Sequence, residues 1–246
     1  MQRDVEIQTM DGLCPASLSI PSGEGPWPAV LMYPDAGSLR DTFRQMGERL
    51  SSLGYVVLVP DVYYRYGKYE PIDMRTAFTD KENAEKIIGM MQSYTADKAV
   101  SDASSFFDYL ASLPQTKPGG YATTGYCMGG RLSLIVAGHF GDRIAASASF
   151  HGGNIAKDED LNSPHHHAAK IKAAIYVAGA IEDQSFPDEQ KALLETSLSE
   201  AGVDYQIETY QAHHGFAVPG HGGYDEAAGE RHWQALEQFF AKNLNT

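Results

Sequence analysis

The chain has only two cysteines in 246 residues, Cys14 and Cys127. That is too few for a disulfide framework, and a free thiol is kept reactive only in a reducing compartment. Basic residues are also scarce. Nineteen Lys and Arg stand against 32 Asp and Glu, a net charge of −13, which argues against nucleic acid or an anionic membrane as a partner. No apolar run approaches the ~18 residues of a membrane span. The opening Met1-Gln2-Arg3-Asp4-Val5-Glu6-Ile7 lacks the apolar core of a secretory signal. There is no internal repeat, no low-complexity tract and no glycine-rich phosphate loop, so a nucleotide is not expected, nor any other cofactor. These absences point to a cytoplasmic protein acting on a small molecule, as a monomer or small homo-oligomer.

What is present is an alternation of strands and helices. Hydrophobic residues make up 43% of the chain, enough for a sizeable core, and one domain over 1–246 is expected. Pro28–Tyr33 is a continuous apolar run of the kind buried on both faces of a parallel sheet. A helix follows, with Asp41 as its N-cap, Phe43, Met46, Leu50 and Leu53 on one face, and Gly54 ending it. Tyr55–Val59, Ile144–Phe150, Ala173–Ala178 and Tyr205–Tyr210 read as further strands. Helices are expected around Val100–Leu110, Leu193–Ala201 and Trp233–Phe240, and an antiparallel pair over Val5–Met10 and Pro15–Ile20. Repeated β-α-β units predict a doubly wound, mostly parallel sheet flanked by helices.

Gly125-Tyr126-Cys127-Met128-Gly129-Gly130 has the glycine spacing of a nucleophile elbow, G-x-S-x-G, with cysteine in place of serine. A short strand precedes it and the apolar Arg131-Leu-Ser-Leu-Ile-Val-Ala137 follows as a helix. A cysteine so placed lies at a helix N-terminus, where free N–H groups favour thiolate. The N–H of Met128 is then a natural oxyanion donor. Cys14, without a glycine frame, reads as a small packed residue. A cysteine nucleophile needs a base, and the base an orienting acid. Loops at strand carboxyl ends offer Glu182 and Asp183, then His213 and His214, in the chain order expected of a nucleophile, acid, histidine triad.

These motifs together resemble the dienelactone hydrolase family of α/β-hydrolases. The resemblance rests on Gly-x-Cys-x-Gly-Gly, an Asp after the penultimate strand and His214-Gly215-Phe216 after the last. It extends through Asp11-Gly12, Met32–Ala36, Gly54–Asp61, Tyr63–Gly67 and Phe150–Gly153. It implies an α/β-hydrolase fold with no separate cap domain, and a triad of Cys127, Asp183 and His214. His213 becomes a loop neighbour and Glu182 a solvent-facing residue. The resemblance also implies a second oxyanion donor at the N–H of Ala36 and a carboxylate, Asp35, beside the resting cysteine. The family's dienelactone-cleaving members carry an arginine four residues after the histidine. Val218 stands there instead, and Arg75 does not align convincingly with the family's other arginine.

Tyr63, Tyr64 and Tyr126, with Arg40, are candidates for the pocket wall. His165-His166-His167 is set aside as a metal site, because adjacent histidines diverge and no Cys or carboxylate stands at ligand spacing around them. The expected function is hydrolysis of a small ester or lactone through an acyl-cysteine. The rival readings are a non-catalytic binding protein on the same fold and a redox sensor using Cys127.

Overall fold

The computed structural model describes residues 1–244; the last two residues of the expected domain lie outside it. The chain opens with an antiparallel hairpin, β1 (Gln2–Thr9) and β2 (Gly12–Ser19), in which Thr9 pairs with Gly12 around a two-residue turn. There follow β3 (Ala29–Tyr33), α1 (Asp41–Ser52), β4 (Val56–Pro60), α2 (Lys81–Ser93) and α3 (Ala96–Ser112). The second half runs β5 (Tyr121–Tyr126), α4 (Met128–Phe140), β6 (Ile144–Phe150), β7 (Ala174–Ala180), α5 (Asp188–Glu200), β8 (Tyr205–Tyr210) and α6 (Glu226–Asn243).

All eight strands form one sheet in the order β1-β2-β4-β3-β5-β6-β7-β8. β3 to β8 run parallel to one another, and β2 is antiparallel to both of its neighbours, β1 and β4. The order reverses at β3, where the chain has wound outward to β4 and then back to β5. Loops at the carboxyl ends of adjacent strands diverge at such a point and leave a crevice.

Side chains alternate across the sheet, so β3 sends Val30 and Met32 to one core and Leu31 and Tyr33 to the other. The first core packs against α1 and α6 through Phe43, Leu50, Trp233 and Phe240. The second packs against α3 and α4 through Phe106, Phe107, Leu134 and Ile135. α4 is buried along almost its whole length, which is why its sequence is apolar on every face.

Three expectations are corrected. α1 begins one residue earlier than anticipated: Arg40 is the N-cap, without a side-chain cap bond, and Asp41 is the first helical residue. There its carboxylate still meets the positive end of the helix dipole. The polar stretch before α3 contains a full helix, α2, capped by Asp80, which accepts the N–H of Asn83 at 2.9 Å. Only Ile87 and Met90 of α2 are buried, too thin a stripe to stand out in the sequence. The histidine triplet, for which no helix was expected, lies in a 3-10 helix over Pro164–Lys170. Among the described residues, no helix is long and apolar enough to cross a membrane.

Candidate active site

Cys127 is the residue between β5 and α4, with φ 54° and ψ −118°. A side chain rarely adopts positive φ without surrounding restraint. Here the restraint is close packing. A Cβ on Gly125 would lie 1.9 Å from the Gly129 carbonyl oxygen, and one on Gly129 would lie 2.3 Å from that of Pro34. Only glycines let strand, helix and the end of β3 pass one another at these distances. The Cys127 N–H donates to the Phe150 carbonyl at 3.1 Å, fixing the turn to the end of β6. Met128 is the first residue of α4, so its N–H has no partner within the helix. Ala36, buried at the end of β3, belongs to the segment that Gly129 abuts.

Asp183 and His214 come from the loops after β7 and β8. The His214 Nδ1 lies 2.7 Å from Asp183 Oδ2. The other carboxylate oxygen of Asp183 accepts both the N–H of Ser185 (2.9 Å) and its hydroxyl (2.6 Å). Burial penalises this carboxylate, but His214 and Ser185 outweigh that and hold its pKa below the ordinary value. Burial also pushes His214 down. The charge of Cys127, and hydrogen bonds to Asp183 and Cys127, overcome this and raise the imidazole to about 10. A proton therefore has a favoured place on His214 when Cys127 is charged.

Cys127, Met128, Asp183, Ser185 and His214 line one cavity of about 610 Å³. Its apolar wall includes Phe78, Met91, Tyr94 and Leu132. Its rim carries Arg131, which pairs with Asp160, and Lys157. α2, the helix not legible in the sequence, contributes Met91 and Gln92 to it.

The pocket-wall candidates lie elsewhere. None of Tyr63, Tyr64, Tyr126 and Arg40 lines this cavity. Tyr126 points into the core, where its hydroxyl lies 3.1 Å from His232 Nε2. Tyr64 donates to Asp102 of α3 at 3.0 Å and lies 2.6 Å from the Thr9 hydroxyl of β1. Tyr63 is buried beneath Met128, its hydroxyl 3.5 Å from the thioether sulfur. Arg40 forms a bidentate pair with Asp35, at 2.6 and 2.8 Å.

Asp35 is thus fully buried with both oxygens engaged, Oδ1 also accepting the Gly37 N–H at 2.8 Å. Arg65 pairs with Asp102 and Asp11, and Arg75 with Asp73 on the surface. Val218 is buried in the core. Glu182 and His213 are exposed, and neither lines the cavity.

Two neighbours of the site escaped the sequence reading. Ser185 clamps Asp183, and its spacing, Asp-x-Ser, is a recognisable turn signature. His151, just past β6, packs its buried ring edge-on against His214 with centroids 5.1 Å apart. Burial, and then the charge of His214, keep His151 neutral, its pKa well below the ordinary value. Nothing in the sequence alone places that ring behind His214.

The family model for the dienelactone hydrolase family matches residues 14–244. A protein of Synechocystis sp., provisionally assigned as a carboxymethylenebutenolidase, is 26% identical over 92% of this chain and 91% of its own length. One from Salmonella typhi with the same assignment is 28% identical over 96% and 90%. The crystal structure of a protein from Klebsiella pneumoniae, provisionally assigned as a dienelactone hydrolase, superposes with a TM-score of 0.84 at 22% identity, covering 98% of both chains. A dienelactone hydrolase-like promiscuous phosphotriesterase from metagenomic libraries gives 0.75 at 23%, again over 98% of both. At such identities the superpositions speak for the fold, and the family match speaks for descent. The chain belongs to the dienelactone hydrolase family of α/β-hydrolases, enzymes that hydrolyse ester and lactone bonds.

Proposed function

We propose that this protein hydrolyses a small carboxylic ester or lactone through an acyl-cysteine formed at Cys127. The observation that carries this reading is the 2.7 Å contact between His214 and Asp183, with His214 and Cys127 lining the same cavity. In the first half-reaction the thiol proton passes to His214 and the sulfur attacks the carbonyl carbon. The C=O electron pair moves onto oxygen, where the N–H groups of Met128 and Ala36 receive it. Collapse expels the alcohol oxygen, which takes the proton back from His214. In the second half, His214 removes a proton from water as the water attacks the thioester. The tetrahedral adduct then releases the acid and returns Cys127.

Asp183 holds His214 in the tautomer with Nδ1 protonated and stabilises the imidazolium. Ser185 in turn fixes Asp183. The apolar wall of Phe78, Met91 and Leu132 would receive the less polar part of the substrate, leaving Arg131 and Lys157 at the solvent rim. The test is to mix enzyme with a p-nitrophenyl ester, quench within the first turnover and weigh the intact chain. The acyl mass increment should sit on the peptide holding Cys127. A product burst with no covalent adduct would falsify the acyl-cysteine route.

A further inference from the structure

His165, His166 and His167 follow one another in the 3-10 helix Pro164–Lys170. With three residues per turn, successive side chains there should diverge by a third of a circle. His167 does so: its Nε2 lies 3.2 Å from the Leu161 carbonyl and its ring packs against His139. His165 and His166 do not. Their ring centroids are only 3.9 Å apart, and both Nε2 atoms converge on Asp158. His165 Nε2 is 3.3 Å from the Asp158 carboxylate, and His166 Nε2 is 3.1 Å from the Asp158 main-chain oxygen. One ligating atom from each of the three residues lies within 4.8 Å of the others. Two nitrogens on one zinc-sized ion are at most ~4.2 Å apart, so small side-chain rotations close the set.

We propose that Asp158, His165 and His166 bind a divalent transition ion of the zinc, cobalt or nickel type. Two imidazoles with one carboxylate suit these ions, whereas magnesium and calcium favour all-oxygen sets. The burial pattern fits a site built from one anchored ligand. The His165 side chain is 4% exposed while Asp158 is 76% exposed, which leaves an entry path and open positions for water. The His165 Nδ1 is buried without a hydrogen-bond partner, so the ring is oriented from its Nε2 side. The obstacle seen in the sequence, that no carboxylate stood at ligand spacing, is removed by the fold. The chain leaves Asp158, passes through Ser163-Pro164 and returns both rings to it.

The site lies outside the catalytic cavity but is joined to its rim. Asn154, Lys157 and Asp160 line that cavity, and Asp158 belongs to the same segment. An ion bound there would fasten this segment to the packed 3-10 helix.

Cobalt(II) is the probe, and the host is the Cys127→Ala protein, so that the active-site thiol cannot ligate. Should that protein not fold, the wild-type chain alkylated at Cys127 replaces it. One cobalt per chain is expected by calorimetry, with visible absorption bands and no thiolate charge-transfer band. Asp158→Asn and His166→Asn, both at exposed positions, should each weaken binding at least ~10-fold. Zinc at ~100-fold excess over Kd should raise the Tm of the host by about 5–10 °C, and not that of the double variant. Absence of cobalt binding, or equal binding by host and double variant, overturns the proposal.

Discussion

Cys14 lies within β2, fully buried opposite Ile7 of β1, its thiol donating to the Asp61 carbonyl at 3.4 Å. Cys127 lies one residue beyond β5, on a positive-φ turn at the head of α4, partly open to a cavity and within reach of His214. The two strands, β2 and β5, belong to the same sheet. Burial, and then the charge of Asp102, push the Cys14 thiol well above its ordinary value, so it stays protonated and inert. Cys127 instead has a proton acceptor and unpaired backbone donors beside it. The difference comes from a strand interior, where every backbone group is paired, against a strand end, where the chain must turn and leaves N–H groups free. Reactivity follows that placement.

The largest expected effect is on chemistry. Cys127→Ala should lower kcat for a p-nitrophenyl ester by ~10⁴-fold or more, whereas Cys14→Ser should leave kcat within a few-fold and lower Tm instead. Iodoacetamide followed by peptide mapping should label Cys127 first. Equal labelling of both thiols with activity intact would break the comparison.

The two histidines give the next contrast. His214→Ala should cost ~10³–10⁴-fold in kcat, and His213→Ala little, because His213 faces solvent away from the cavity. The reverse outcome would move the proposed triad by one residue.

Proton affinity sharpens the pairing. The charge of Cys127 and the bond to Asp183 raise the His214 imidazole from its ordinary 6.5 to about 10. Its contribution to stability is therefore complete below about 6.5 and is lost as the pH rises through about 10. The strongest influence that raises it is the charge of Cys127. Cys127→Ala should accordingly move the His214 titration, followed by NMR, downward. An unmoved titration would show that the two side chains do not share a proton.

Asp35 tests where the family resemblance stops. Its two oxygens are taken by Arg40 and Gly37. Asp35→Asn should then destabilise the fold by about 2–3 kcal/mol, through an Arg40 left half-buried and unpaired, while Cys127 alkylation changes little. A marked acceleration of alkylation with unchanged Tm would return Asp35 to the neighbourhood of the thiol.

The smallest effect concerns substrate charge. Arg40, Arg65 and Arg75 are each bound to carboxylates, and Val218 replaces a candidate cation. Neutral esters should be cleaved at least as well as carboxylate-bearing analogues. A preference for the anionic analogue that disappears in Lys157→Ala would assign the clamp to the cavity rim.

Much of this was legible in the residues. The long apolar strands, the buried α4 and the elbow announce themselves because each is governed by neighbours in sequence: period-two alternation, all-round apolarity, glycines at fixed offsets. Strand order points to the loops after β7 and β8 as the source of an acid and a base, and the resemblance to the family is what implies Asp183 over Glu182 and His214 over His213. α2 was hidden because it buries only two residues and its stability comes from docking over the cavity. Tyr63, Tyr64 and Tyr126 misled because nearness to a motif in sequence does not fix where a side chain turns: Tyr63 and Tyr126 are buried in the core and Tyr64 reaches Thr9 of β1 and Asp102 of α3.

The sequence by itself determined the sheet, the turn that strains Cys127 and the identity of the residues at the strand ends, all of them local patterns of size, polarity and glycine. The tertiary structure alone decided that Arg40 closes on Asp35, that Ser185 bonds Asp183 and His151 packs against His214, and that Asp158 meets two adjacent imidazoles. Those pairings join side chains from separate loops, whose directions are set by how the helices pack across the sheet and not by any spacing along the chain.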